Sequence, residues 1–186
     1  MIGGREVDYD TWRDSAAHRG GSPALFLLIT VQGNSRLVVR LADRTPFAVD
    51  ARTEKSLTVS SVVAFENTGR QHGTIVDCLV RPQLPFEQYD GIEARAKAER
   101  ADTPREDDYF EASLVSPGKT LEIRLVVTLT ARRGLTIEEA LSRMVDLPLD
   151  IIYTELSRRP WRLRKVRLVL TAEEIAKLAG VTRRYE

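Results

Sequence analysis

Cysteine is nearly absent: Cys78 stands alone among 186 residues, so no internal disulfide framework holds the fold. Histidine occurs twice, at 18 and 72, and asparagine twice, at 34 and 67. No spacing of His, Cys, Asp and Glu forms a metal-ligand cluster, and no cofactor is expected. Gly-x-Ser-x-Gly, Walker and dinucleotide fingerprints are all missing, which lowers an enzyme assignment. Long apolar runs are missing too. The first, Ala24–Val31, is too short to span a bilayer, and MIGGREVDYDTWRD has acids where a signal peptide has an apolar core. A cytoplasmic protein is the expectation, with the soluble part of an exported or anchored chain as the alternative. Charge of one sign is also lacking. The formal net charge is +1, so there is no overall field to draw in nucleic acid, although a local basic patch is compatible with it.

What is present suits an ordinary globular domain with extensions: 42% hydrophobic and 30% charged residues, long enough to bury its own core. Five of the 28 basic residues are Lys, leaving 23 Arg. Scarce Asn fits a heat-adapted source, while an Arg bias follows equally from GC-rich coding.

Residues 1–23 are polar, carry four Gly and lack periodicity, which predicts a flexible leader in which Trp12 is the one large apolar group. The β-sandwich is expected over 24–171. Ala24–Val31 is continuously apolar, and Gln32-Gly33-Asn34-Ser35 turns it into Arg36–Leu41, a hairpin pattern. Phe47–Val49 reads as a short strand. In Leu57–Val80, the centre of the pattern, Leu57, Val59, Val63 and Phe65 share one face. Past the corner, Val76, Cys78 and Val80 share another, with Asp77 opposed, until Pro82 ends the strand. Residues 87–108 are densely charged and read as a surface insertion, with helix formers over Ile92–Ala101.

Strand character returns at Tyr109–Val115 and is strongest at Thr120–Thr130. Thr136 and Glu139 form a capping-box pattern for a short helix at 136–145. Leu149–Tyr153 is another strand. Trp161–Leu170 changes phase between Leu163 and Val166, which predicts a β-bulge near Arg164-Lys165. Thr171 and Glu174 repeat the capping pattern before a C-terminal helix at 172–180, followed by a tail to 186. The fold class expected is all-β, an antiparallel two-sheet sandwich of about eight strands.

The segments Val63-Ala64-Phe65-Glu66-Asn67-Thr68-Gly69, Gly73-Thr74-Ile75-Val76-Asp77 and Leu114-Val115-Ser116-Pro117-Gly118 carry a resemblance. They resemble the immunoglobulin-like modules of bacterial and archaeal surface and assembly proteins, the CARDB-type adhesion domains, over about residues 57–130. The resemblance implies a non-catalytic binding or assembly module. Its structural residues are turn-makers: Asn67, Gly69 and Gly73 at the corner, and Pro117 and Gly118 in a type II turn.

Candidate chemistry is sparse. His72 has only Glu66, Asp77 and Cys78 near it in sequence, and alternation puts Asp77 and Cys78 on opposite faces. An enzyme or metal site there is the third-ranked reading, behind an exposed loop histidine. Glu106-Asp107-Asp108, and Asp146 with Asp150, lack calcium-loop spacing. The basic run Arg158, Arg159, Trp161, Arg162, Arg164, Lys165 and Arg167 reads either as a phosphate-binding stripe or as an edge strand guarded against edge-to-edge pairing; the second is favoured. Residues 171–184 resemble the opening of a helix-turn-helix cut short, or a capped helix covering the sandwich with Ile175, Leu178 and Ala179. The expected function is a non-enzymatic protein–protein interaction or assembly module whose partner is another protein or a second copy. The alternative is a nucleic-acid-associated protein.

Overall fold

The computed structural model describes residues 33–105, 109–158 and 160–184. The expected leader, the 24–31 strand, the 106–108 acidic cluster and Arg159 lie outside the described residues.

The described residues form nine strands: β1 (Leu37–Arg40), β2 (Ala48–Arg52), β3 (Ser56–Asn67), β4 (Gly73–Pro82), β5 (Ile92–Arg100), β6 (Ser113–Val115), β7 (Thr120–Ala131), β8 (Leu147–Leu156) and β9 (Arg162–Leu170). They form two antiparallel sheets. One is ordered β1-β3-β7-β5, with β2 also on β3; the other is β6-β4-β8-β9. Apart from β2 and β6, this is the division of an immunoglobulin-like sandwich, ABED against CFG.

Alternation explains the core. β3 and β7 pair from Ser56–Thr130 to Glu66–Thr120, and their inward rows include Val63, Phe65, Ile123, Leu125 and Val127, all fully buried. From the facing sheet Tyr153 meets Phe65 edge-to-face, with ring centroids 5.1 Å apart. The Pro117-Gly118 turn forms as expected: Gly118 has φ +68° and the Lys119 N–H donates to the Ser116 carbonyl at 3.0 Å.

Among the described residues, two α-helices pack together at one end of the sandwich. In α1 (Ile137–Ser142) the capping box is complete: the Thr136 hydroxyl accepts from the Glu139 N–H, and the Glu139 carboxylate accepts from the Thr136 N–H at 2.8 Å. In α2 (Ala172–Ala179) only half of it forms. The Thr171 hydroxyl accepts from the Glu174 N–H at 3.1 Å, but the Glu174 carboxylate pairs with Arg44 at 3.2 Å. Ile175, Ala176 and Ala179 are buried and Leu178 packs on the core, so the apolar side of α2 covers the sandwich.

Three segments differ from the sequence expectation. Ile92–Arg100 is neither insertion nor helix but strand β5, paired with β7 from Ile92–Ala131 to Arg100–Ile123. Its Ala, Glu, Arg and Lys are helix formers by local preference, yet Ile92, Ala94, Ala96 and Ala98 alternate with charges, and pairing with a buried neighbour overrides propensity. In β4 the inward residue is Ile75, not Val76. The β4–β8 register shifts between Val76 and Leu79, where Asp77 has φ +51°, so a bulge flips the phase that simple alternation assumes. Of Tyr109–Val115, only Ser113–Val115 pairs as strand.

The corner after β3 is organised by the Asn67 side chain, which has no solvent exposure. Its Oδ1 accepts from the backbone N–H of Arg36 (3.1 Å) and of Gly69 (3.0 Å). Its Nδ2 donates to the carbonyls of Gln71 (2.7 Å) and Val115 (2.9 Å). Neither Asn67 nor Gly69 has a positive φ, contrary to the turn chemistry expected. Asn67 is needed as a buried amide. Gly69 is needed because a Cβ there would stand 2.2 Å from the Asn34 carbonyl oxygen.

Candidate interaction surface

Among the described residues, β9 is an edge strand of the four-stranded sheet. Its register with β8 runs unbroken from Leu147–Leu170 to Glu155–Arg162. The bulge expected near Arg164-Lys165 is therefore absent. That expectation assumed large apolar residues must point inward, but one face of an antiparallel sheet can face solvent. Trp161 (67% exposed) and Leu163 (62%) stay on the outer side, while Leu168 and Leu170 enter the core.

Strict alternation thus divides the basic run. Leu163, Lys165, Arg167 and Val169 face out, and Arg162, Arg164 and Val166 turn toward the space between the sheets. The register builds the outer face in rows. Leu114 of β6 lies beside Thr74 of β4, which lies beside Leu156 of β8. The next row is Val76, Thr154 and Leu163, and the next Leu79, Ile152 and Lys165. Beyond them Arg81, Asp150 and Arg167 form a charged row. Leu114 (64% exposed), Leu79 and Leu156 thereby join Trp161 and Leu163, although they are remote in sequence.

Arg164, Lys165 and Arg167 of the run pair with carboxylates of β8. Asp150 is nearly buried and accepts two bonds from Arg167, at 2.7 and 3.1 Å, with Lys165 at 3.6 Å. Those hydrogen bonds from Arg167 hold its carboxyl below the ordinary carboxylate value, against the opposing effect of burial. Glu155, also nearly buried, takes Arg164 at 3.5 Å and the Ser35 hydroxyl at 3.0 Å. The less favoured reading of the run, a phosphate-binding stripe, therefore has three of its cations already paired with carboxylates.

A pH dependence follows for the Asp150 pair. Because its folded pKa is depressed, the pairing stabilises the fold above the ordinary value of 3.8 and that contribution is lost as pH falls through the lower folded value. Asp150→Asn is expected to cost about 1–2 kcal/mol at pH 7, since Arg167 is half exposed and rehydrates. In urea melts the gap between wild type and variant should narrow as pH falls below 3.8. A gap that stays constant from pH 7 down through the acid unfolding range would show that charge pairing is not its origin.

On the inner side, Arg162 and Arg164 line a cleft of about 520 Å³ with Arg36 and Arg70, at the end where the 33–36 loop and the corner meet β9. Arg36 and Arg70 carry no sequence signal that links them to the run. His72 is exposed, and Cys78 is buried on the other side of β4 from Asp77. Asp146 accepts from the Ala172 N–H at 2.8 Å, so it caps α2. Among the described residues, no three His, Cys, Asp or Glu side chains group to hold a metal ion. No helix among them is long and apolar enough to cross a membrane.

No protein-family model and no curated protein matches the chain, so the CARDB-type resemblance has no match to support it. The chain is similar to the GAE domain of GGA2p from Saccharomyces cerevisiae, with 10% identity over 74% of this chain and 98% of that one and a TM-score of 0.36. It is also similar to the yeast GGA1 GAE domain, with 7% identity over 69% and 98% of the two chains and a TM-score of 0.32.

Proposed function

We propose that the chain is a non-enzymatic interaction module that docks a protein partner on the outer face of the β6-β4-β8-β9 sheet. One observation carries this reading. Among the nine exposed large hydrophobic side chains of the described residues, Leu79, Leu114, Leu156 and Leu163 occupy three adjacent rows of that face, Trp161 stands immediately before β9, and Val169 lies on the face beyond the charged row. Scattered apolar residues are normal on a surface, whereas a contiguous patch marks a binding site. Aromatic anchors such as Trp161 are typical of the centre of an interface. Arg81, Lys165 and Arg167 border the patch with the carboxylates of Asp150 and, at the β4 bulge, Asp77, so cations prevail by one. The complementary partner has an apolar centre and an acidic rim.

A photo-crosslinking residue at position 163, in cells, tests the reading. The expected result is one dominant adduct of defined mass that disappears with Trp161→Ser and does not form from position 95 on the opposite sheet. An adduct of twice the chain mass identifies a second copy as the partner. No adduct, or the same adducts from position 95, would refute the docking face.

A further inference from the structure

We propose that the groove between the edge strands β1 and β9 seats the chain's own segment 24–31 as an added strand. Among the described residues, β1 ends one sheet and β9 ends the other, and together they line a groove of about 410 Å³. Leu37 and Tyr153, both buried, form part of its lining. Val39, Leu41 and Val166 line it too, packed on the core but only partly covered. The rims are polar, with Arg40 and Asp43 on one side and Arg167 on the other. On the other side of the sandwich, β4 of one sheet packs against β5 of the other. The β1–β9 side is where apolar surface between the layers still awaits a cover, and an extended segment can add to a sheet edge by main-chain hydrogen bonds.

Three observations select 24–31 as the occupant over a separate chain. Its sequence, ALFLLITV, carries no charge, and apart from Thr30 both of its alternating rows are apolar. Such a run suits a strand with apolar surroundings on both faces. Its place in the chain also fits. Only Gln32 separates it from Gly33, whose φ of +66° is a turn conformation. Gly33 lines the same cleft as Arg36, just before β1, and Arg162, the first residue of β9. Both strands thus begin at that cleft and run the same way, so a segment turning back at Gly33 runs antiparallel to both. The third observation is length. Eight extended residues span about 26 Å, close to the reach of the nine residues of β9. Tethered by the turn, 24–31 reaches the groove without the entropic cost of associating a second molecule.

A diazirine-bearing aliphatic residue at position 166, irradiated in the dilute, purified full chain, tests the proposal. The expected product has the mass of one chain and links 166 to a residue within 24–31. Its yield should exceed by about tenfold or more that of any link to 24–31 from position 95 on the far sheet, because a seated segment is held within reach of 166. Three results would overturn the proposal: no link from 166 to 24–31, equal yields from 166 and 95, or a link found only at twice the chain mass. The last would give the groove to the segment of a second copy.

Discussion

Asn67→Leu is expected to remove about 4 kcal/mol of folding stability, measured by urea denaturation at pH 7 with an unchanged slope. Leucine keeps the heavy-atom branching of asparagine and leaves no cavity, so the loss reflects the missing amide and the fit of two methyl groups in its place. Four backbone groups lose their partner: the Arg36 and Gly69 N–H groups, and the Gln71 and Val115 carbonyls. Each unsatisfied buried group costs about 1–3 kcal/mol, and the lower part of that range applies where solvent reaches the loop. The backbone of Asn67 adds two more ties, its N–H to the Lys119 carbonyl and its carbonyl to the Gly118 N–H. These survive the substitution and keep the corner attached to the Pro117-Gly118 turn. A loss under about 1 kcal/mol would mean that the amide is not the organising element of the corner.

Gly69→Ala should cost about 2–3 kcal/mol by a different route, overpacking against backbone. The added Cβ would stand 2.2 Å from the Asn34 oxygen, 2.5 Å from the Arg36 nitrogen and 2.7 Å from the Ser35 carbonyl carbon. No flexible side-chain end is available to yield, so the 34–36 loop must move. Two hydrogen bonds span that contact, Arg70 N–H to Asn34 and Thr68 N–H to Arg36, and both would be strained. Since Asn67 holds the same loop, the double variant should lose less than the two single losses combined.

The parts legible in the sequence are those where local pattern and tertiary environment agree. Leu57, Val59, Val63 and Phe65 read as one inward face and are one. Thr136 with Glu139 read as a capping box and forms one. Three strands misled for separate reasons. In β5 the composition is helical and only the pairing with β7 makes a strand. In β4 one residue, Asp77, takes a left-handed conformation that no neighbouring residue announces. In β9 the alternation was sound, and the inserted bulge came from assuming that tryptophan and leucine avoid solvent. The candidate surfaces were partly visible as the charged run 158–167. Its partners come from far along the chain: Leu114 reaches the face through β6, and Arg36 reaches the cleft through the loop that Asn67 holds. No sequence window contains those pairings.

Both surfaces depend on the unbroken alternation of β9, and cysteine scanning along it measures that alternation directly. The background is quiet, because Cys78 is buried and its thiol is pushed up to about 12. Single cysteines at 163 to 169 would be reacted with a maleimide in the native protein. Fast labelling is predicted at 163, 165, 167 and 169, and slow labelling at 164, 166 and 168. A change of phase between 163 and 166 would restore the bulge, turn one set of side chains over, and contradict both the outer docking face and the arginine cleft.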